Sequence, residues 1–177
     1  MKKERILEMQ LWKKKKTKSL VTTALFLGIT LVIQLIRLPP PLTGPLINAI
    51  LILTTILLGV KQGIAIGLLT PIGALLLGII PPVLAPAVPF IMVGNSLYCL
   101  LFALLYYRCN ELLGLLFGSL LKFAVIAGAA VLILDLPKGP SAALGLPQFI
   151  TALTGGAGAL LLKKYLLPGV KESLQKP

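Results

Sequence analysis

Leu112–Leu134 reads LLGLLFGSLLKFAVIAGAAVLIL, and all of it except Ser119 and Lys122 is apolar or glycine. At about 1.5 Å rise per residue the run is roughly 35 Å long, enough to cross a bilayer core of about 30 Å. Lys122 falls near its middle. A charge at that depth costs about 2.5–3.5 kcal/mol on insertion scales, and more if it faces lipid. The lysine is therefore expected to face the interior of a helix bundle. No acid in the chain lies at a similar depth. Its partner is then a set of carbonyls and amides, a water-filled cavity or an anionic ligand. Two roles stay open: a contact to a small molecule bound inside a helical membrane protein, or a lysine that snorkels or pairs with backbone carbonyls.

Composition extends this reading to the whole chain. Of the 177 residues 57% are hydrophobic and 12% charged. Soluble domains hold roughly 45–50% apolar and 25% charged residues. The expected product is one compact membrane unit without a separate soluble domain. The net charge of +12 resembles a nucleic-acid signal, but its placement argues against one. Lys2, Lys3, Arg5, Lys13 to Lys16 and Lys18 precede Ser19, and most of the others flank apolar runs. That pattern orients a membrane protein and attracts anionic lipid. The basic stretch leads into an apolar run too long for the core of a signal peptide, with no small-residue cleavage site after it, so no removable signal is expected.

The chain has no histidine and only five acids, Glu4, Glu8, Glu111, Asp135 and Glu172, all outside the apolar runs or at their edges. Histidine-based metal centres, carboxylate dyads, two-metal catalysis and intramembrane proton relays are excluded. Cys99 and Cys109 suggest neither a disulfide framework nor a metal site. No nucleotide motif appears. The chain is expected to be no enzyme and to need no cofactor, so any ATP would be used by a partner.

Six spans follow from apolar length: Ser19–Ile36, Leu42–Leu58, Gly63–Ile80, Leu84–Tyr107, Leu112–Leu134 and Leu144–Leu162. Pro39–Pro41 with Thr43-Gly44-Pro45, the turn Gly59–Gly63, Pro81-Pro82 with Pro86 and Pro89, the hinge Arg108–Glu111 and the loop Asp135–Gly145 separate them. With the N-terminus inside, the inner side collects 14 basic residues and the outer side only Arg37 and Lys138. Both termini are thus expected in the cytoplasm. The expected organisation is a basic arm over 1–18, an all-α transmembrane bundle over 19–167 and a tail over 168–177, in the plasma membrane. Helices in lipid associate through close backbone approach. Gly59, Gly63 and Gly67 repeat every fourth residue, as do Gly114 and Gly118, and Ala24 with Gly28 forms a further small-residue face. Such faces serve packing within one bundle or docking to another protein.

Polar residues inside the spans are few and biased toward the outer half. They are Gln34 and Arg37, Asn48, Asn95 and Tyr98, Lys122, and Gln148, Thr151 and Thr154. They come from five helices that could converge on one outward-facing cavity. Asn48 and Asn95 fit equally an interhelical clasp, because buried amides need partners. Pro71, after Thr70, removes a helix hydrogen bond and invites a kink whose freed carbonyls could face the cavity. Cationic and amide donors with few acids and aromatics favour a small polar or anionic ligand. Substrate-binding candidates are therefore Lys122, Asn48, Asn95, Arg37, Gln34, Tyr98, Gln148 and Thr151.

The six short spans, the basic arm and the proline-rich outer loops resemble the substrate-binding S component of an energy-coupling factor (ECF) vitamin transporter, over about Lys18 to Tyr165. The resemblance rests on Leu42-Thr43-Gly44-Pro45 with Asn48, on Thr70-Pro71-Ile72-Gly73-Ala74, and on Pro81-Pro82 through Pro89-Phe90 to Gly94-Asn95. It matches none of the riboflavin, thiamin, biotin or folate branches. It implies a vitamin-like or anionic ligand held near the outer face, among the outer loops and the fourth to sixth helices. It implies docking through an alanine-x-x-x-alanine face of the first helix, here Ala24 and Gly28, onto a transmembrane coupling subunit powered by two ATPase subunits. The N-terminal histidine of the nickel and cobalt branches is missing, which speaks against a metal substrate. The alternative function is a membrane scaffold without a ligand.

Overall fold

The computed structural model describes the backbone of residues 2–175 and the side chains of residues 16–165. Side chains of the basic arm before Lys16, and of the tail, lie outside the described residues. The chain is an all-helical bundle: α1 (Lys2–Leu35), α2 (Pro40–Leu57), α3 (Val60–Leu76), a 3-10 segment (Pro82–Ala87), α4 (Val88–Arg108), α5 (Glu111–Leu132), the short α6 (Lys138–Ala143) and α7 (Leu146–Gln175). Five stretches are long and apolar enough to cross a membrane, and α3 is a shorter apolar helix of 17 residues. These six account for the six expected spans, with shifted ends.

The shifts have physical causes. Thr43-Gly44-Pro45, expected in a break, lies within α2, which starts at Pro40. Pro40 and Pro41 occupy its first positions, where a helix N–H has no partner to lose and φ near −65° is already helical. α3 stops at Leu76 rather than Ile80, because the chain turns through Gly78 at φ 65°. Pro82 and Pro86 then hold a 3-10 segment, so α4 begins at Val88 and not at Leu84. The tight link between α2 and α3 passes through Gly59 at φ 110°, a conformation nearly closed to other residues. Asn110 caps α5, its side-chain oxygen accepting from the Leu113 N–H at 2.7 Å. α1 runs without interruption across the Lys18–Ser19 boundary.

Helix contacts place α2 centrally, against α1, α3, α4 and α7, while α1 touches chiefly α2 and α3. The half of the bundle nearer Gly59 and Asn110 is solid. Leu51, Ile52, Ile66, Tyr98, Cys99 and Phe102 are buried there with Leu115, Ala152 and Ala159. α4 and α5 meet closely because Gly114 and Gly118 have no side chain. A Cβ on Gly114 would lie 2.8 Å from the Phe102 carbonyl oxygen, and one on Gly118 3.1 Å from the Tyr98 ring. At this end Lys163 pairs with Glu111 and lies 4.7 Å from the Tyr106 ring centroid, tying α7 to α5. A smaller cluster of Ala87, Ile126, Ala130 and Leu144 closes one corner of the opposite end. The rest of that end does not close, and this is where the polar residues gather.

Candidate functional site

The open end holds a cavity of about 1010 Å³ between α1, α2, α3, α4, α5 and α7. Its deepest charge is Lys122. The side chain is 3% exposed, and its ammonium donates to Asn48 Oδ1 at 2.6 Å. The same group lies 5.6 Å from the centroid of the Tyr98 ring, within cation–π range. Asn48 is fixed in turn, because its Nδ2 donates to the Gly44 carbonyl one turn back at 2.9 Å. The amide thereby presents its oxygen to the lysine. An ammonium carries three N–H donors, and one hydrogen-bond acceptor is found for it among the described residues. Lys122 thus lies inside the bundle, away from its outer surface.

Gly155 lets α7 pack closely on the part of α2 that carries Asn48. A Cβ there would stand 2.8 Å from Asn48 Cβ and 3.0 Å from the Ala49 nitrogen, so only glycine lets α7 pass this close to α2.

A second anchor grows from Pro71. Proline has no N–H, so the Gly67 carbonyl one turn earlier loses its helical donor. Asn95 Nδ2, reaching across from α4, donates to that oxygen at 3.2 Å. Gly67 permits the approach, since a Cβ there would be 3.1 Å from Asn95 Cβ. The carbonyl freed by Pro71 is therefore clasped by Asn95. The clasp leaves Asn95 Oδ1 buried without a hydrogen-bond partner among the described residues. Thr70 Oγ1 and Gln34 Nε2 are in the same condition. All three residues line the cavity. Buried polar atoms are normally satisfied; these three lie in the cavity wall, each with under 1 Å² of its surface accessible, and Thr54 Oγ1 and Ser119 Oγ are in the same condition away from it.

The mouth is set by the turns. Arg37, exposed at φ 54°, stands at the rim where α1 gives way to α2. Gln148 Nε2 donates to the Ala143 carbonyl at 3.3 Å, holding α6 against the start of α7. Thr151 packs on Gly44, where an added Cβ would lie 2.7 Å from its Cγ2. Pro40, Pro41, Ile79 and Ile80 supply apolar walls.

Seven of the eight residues singled out in the sequence thus line one cavity: Lys122, Asn48, Asn95, Arg37, Gln34, Gln148 and Thr151. Tyr98 does not. It is fully buried beneath Lys122, and its hydroxyl donates to the Ala152 carbonyl at 2.7 Å. Its position inside an apolar helix gave no sign that it faces the packed core. Sequence reasoning passed over Thr43 and the apolar walls. It also treated Thr70 only as the neighbour of a kink, although the residue lines the cavity. The signal available for Thr70 was its place directly before an intrahelical proline.

Ala24 and Gly28 share an exposed face of α1, and a Cβ built on Gly28 meets nothing within 4 Å. This face takes no part in packing the bundle.

No curated protein and no solved structure matches the chain. A sequence model of the family described as ECF transporter, substrate-specific component, matches residues 18–167. Such components bind small substrates without catalysing a reaction, and coupling and ATPase modules are their partners. With its apolar helical bundle and a match that spans all six membrane helices, this multi-pass membrane protein belongs to the substrate-specific components of ECF transporters.

Proposed function

We propose that the chain captures a small anionic molecule at the outer face of the plasma membrane, with Lys122 as the charge that holds it. The carrying observation is Lys122, a residue only 3% exposed in the cavity lining, whose ammonium has a neutral amide oxygen as its hydrogen-bond acceptor. An anion supplied by a ligand would complete its coordination, and a charge-assisted bond to such a group contributes roughly 1.5–3 kcal/mol. The excess of Lys and Arg at the opposite end supports an outward-facing mouth. Asn48, Asn95, Gln34 and Thr151 would hold the remainder of the ligand, with Arg37 and Gln148 at the rim. Ala24 and Gly28 would be the contact with the coupling subunit, since an unpartnered small-residue face allows another helix to approach closely. Two ATPase subunits would drive release to the cytoplasm.

The test is reconstitution. The chain is co-expressed with a coupling subunit and its ATPases, and small molecules released from the purified subunit are identified by mass spectrometry. The expected result is a stable complex and ATP-dependent uptake of a released anion into proteoliposomes. A subunit that releases no small molecule and assembles with no coupling module would refute the proposal.

A further inference from the structure

Arg37 stands in a backbone conformation that its side chain disfavours. It follows α1 at φ 54°, and among the described residues it is the only one other than glycine with a positive φ. In the left-handed region Cβ crowds the following carbonyl oxygen, so helices usually close on glycine here, sometimes on asparagine. The chain uses glycine in this way at Gly59 and Gly78. A strained residue in such a place points to a requirement other than the turn itself. The fold does not supply that requirement. No other described residue gives the Arg37 guanidinium a hydrogen bond or an ion pair. The residue is exposed and belongs to the cavity lining.

The turn that carries Arg37 is fixed on both sides. The Arg37 N–H donates to the Gln34 carbonyl at 3.0 Å. Thr43 Oγ1 donates to the Leu38 carbonyl at 2.8 Å, across three prolines whose rings fix φ. A cation on so constrained a turn is positioned before a ligand arrives, which lowers the cost of ordering it on binding. The lining thus holds two cations, Lys122 and Arg37, and no acid. Lys138 lies at the same end of the bundle but is exposed outside the lining. Asn48, the residue that Lys122 meets, is eight residues into α2 from Pro40, about 12 Å of helix. As the two side chains stand, one is exposed at the rim and the other is buried, so they would hold two anionic groups rather than share one. Pro40, Ile47, Ile79, Ile80 and Ile91 give the cavity aliphatic walls.

We infer that Arg37 is a specificity-determining residue and that the ligand is an elongated dianion. One acidic group sits on Lys122, and a second, at the other end of an aliphatic body, sits on Arg37. This inference rests on the reading of the cavity as the substrate site.

The experiment measures binding to the full chain in nanodiscs of zwitterionic phosphatidylcholine. The probes are adipate, suberate and sebacate, each beside its monomethyl ester, which keeps the length and removes one charge. The diacid of best-fitting length should bind about three- to tenfold more tightly than its ester, the range expected for a forked contact between a partly exposed arginine and a carboxylate. Arg37→Gln should lower the diacid to the level of the ester and leave the ester unchanged. Arg37→Gly should lose the same preference, yet unfold at the same or a higher temperature, because glycine relieves the left-handed conformation. Loss of binding without loss of stability is a result that a merely structural role for Arg37 does not give. Equal binding of diacid and ester by the unmodified chain overturns the inference and leaves Arg37 to lipid headgroups or solvent. So does an Arg37→Gln variant that weakens the ester as much as the diacid, an Arg37→Gly variant that unfolds at a lower temperature, or binding of none of the probes. If one of these occurs and the reconstituted complex still imports an anion released from the subunit, the second contact is wrong and the capture function stands. If import and complex formation fail as well, both are wrong.

Discussion

Replacing Asn48 by Leu should destabilise the bundle, and adding Lys122→Met should rescue it. Lys122 and Asn48 form one buried contact of 2.6 Å between α5 and α2. Asn48→Leu leaves a desolvated ammonium without that acceptor. Hydrogen bonds to charged groups are worth about 1.5–3 kcal/mol, so the single variant should lose roughly that amount. Lys122→Met leaves only a neutral amide oxygen unpaired, at about 1 kcal/mol or a little more, and removes a desolvated charge in exchange. Its net effect should stay within about 1 kcal/mol of zero. The double variant leaves neither orphan, so it should resemble Lys122→Met rather than the sum of the two. The interaction energy expected from the cycle is about 1.5–3 kcal/mol. At roughly 2–4 °C per kcal/mol for a chain of this size, the double variant should unfold some 3–12 °C above Asn48→Leu. Thermal unfolding of the four proteins in one lipid-like environment, without ligand, provides the measurement. Additive effects would show that the lysine does not depend on Asn48 and reaches an acceptor elsewhere, and the argument for an underpaired cation at the cavity floor would fall with it.

Three further outcomes follow from separate contacts. Gly155→Ala places a Cβ 2.8 Å from Asn48 Cβ, so α2 and α7 must separate; a loss of about 1–3 kcal/mol of stability and weaker ligand binding are expected, and an unchanged unfolding temperature would contradict the close approach. Gly28→Trp adds bulk where nothing lies within 4 Å, so folding and ligand binding should persist while co-purification with the coupling subunit drops at least tenfold; an intact complex would assign this face to lipid. A membrane-impermeant maleimide should label exposed Cys109 in inside-out vesicles but not in right-side-out ones, while buried Cys99 resists in both; the reverse labelling of Cys109 would turn the cavity mouth toward the cytoplasm.

Sequence and structure contributed different things, and the division has a physical basis. Helix number and membrane residence were legible because bilayer thickness makes a local demand, a run of apolar residues of sufficient length, that each segment meets or fails alone. The expectation that both termini lie in the cytoplasm also rests on a local preference, since each basic residue favours one side. The inward pointing of Lys122 followed from the cost of facing lipid with a charge. Helix ends were less legible. The prolines at Pro40, Pro41 and Pro45 break helices in most settings, yet the first two fill helical positions that need no donor, and the Asn95 clasp occupies the carbonyl that Pro71 freed. Which polar residues share a cavity depended on how helices rotate and cross, and no local rule states that. Tyr98 and Asn95 are three residues apart on one helix, yet the first supports the floor from the core and the second lines the cavity. The partner of Lys122 was decided in the same way, because Asn48 lies 74 residues away in sequence and on another helix. Sequence alone established a buried cation in need of a partner; tertiary packing supplied one neutral oxygen, on Asn48, and set the lysine in the wall of a cavity.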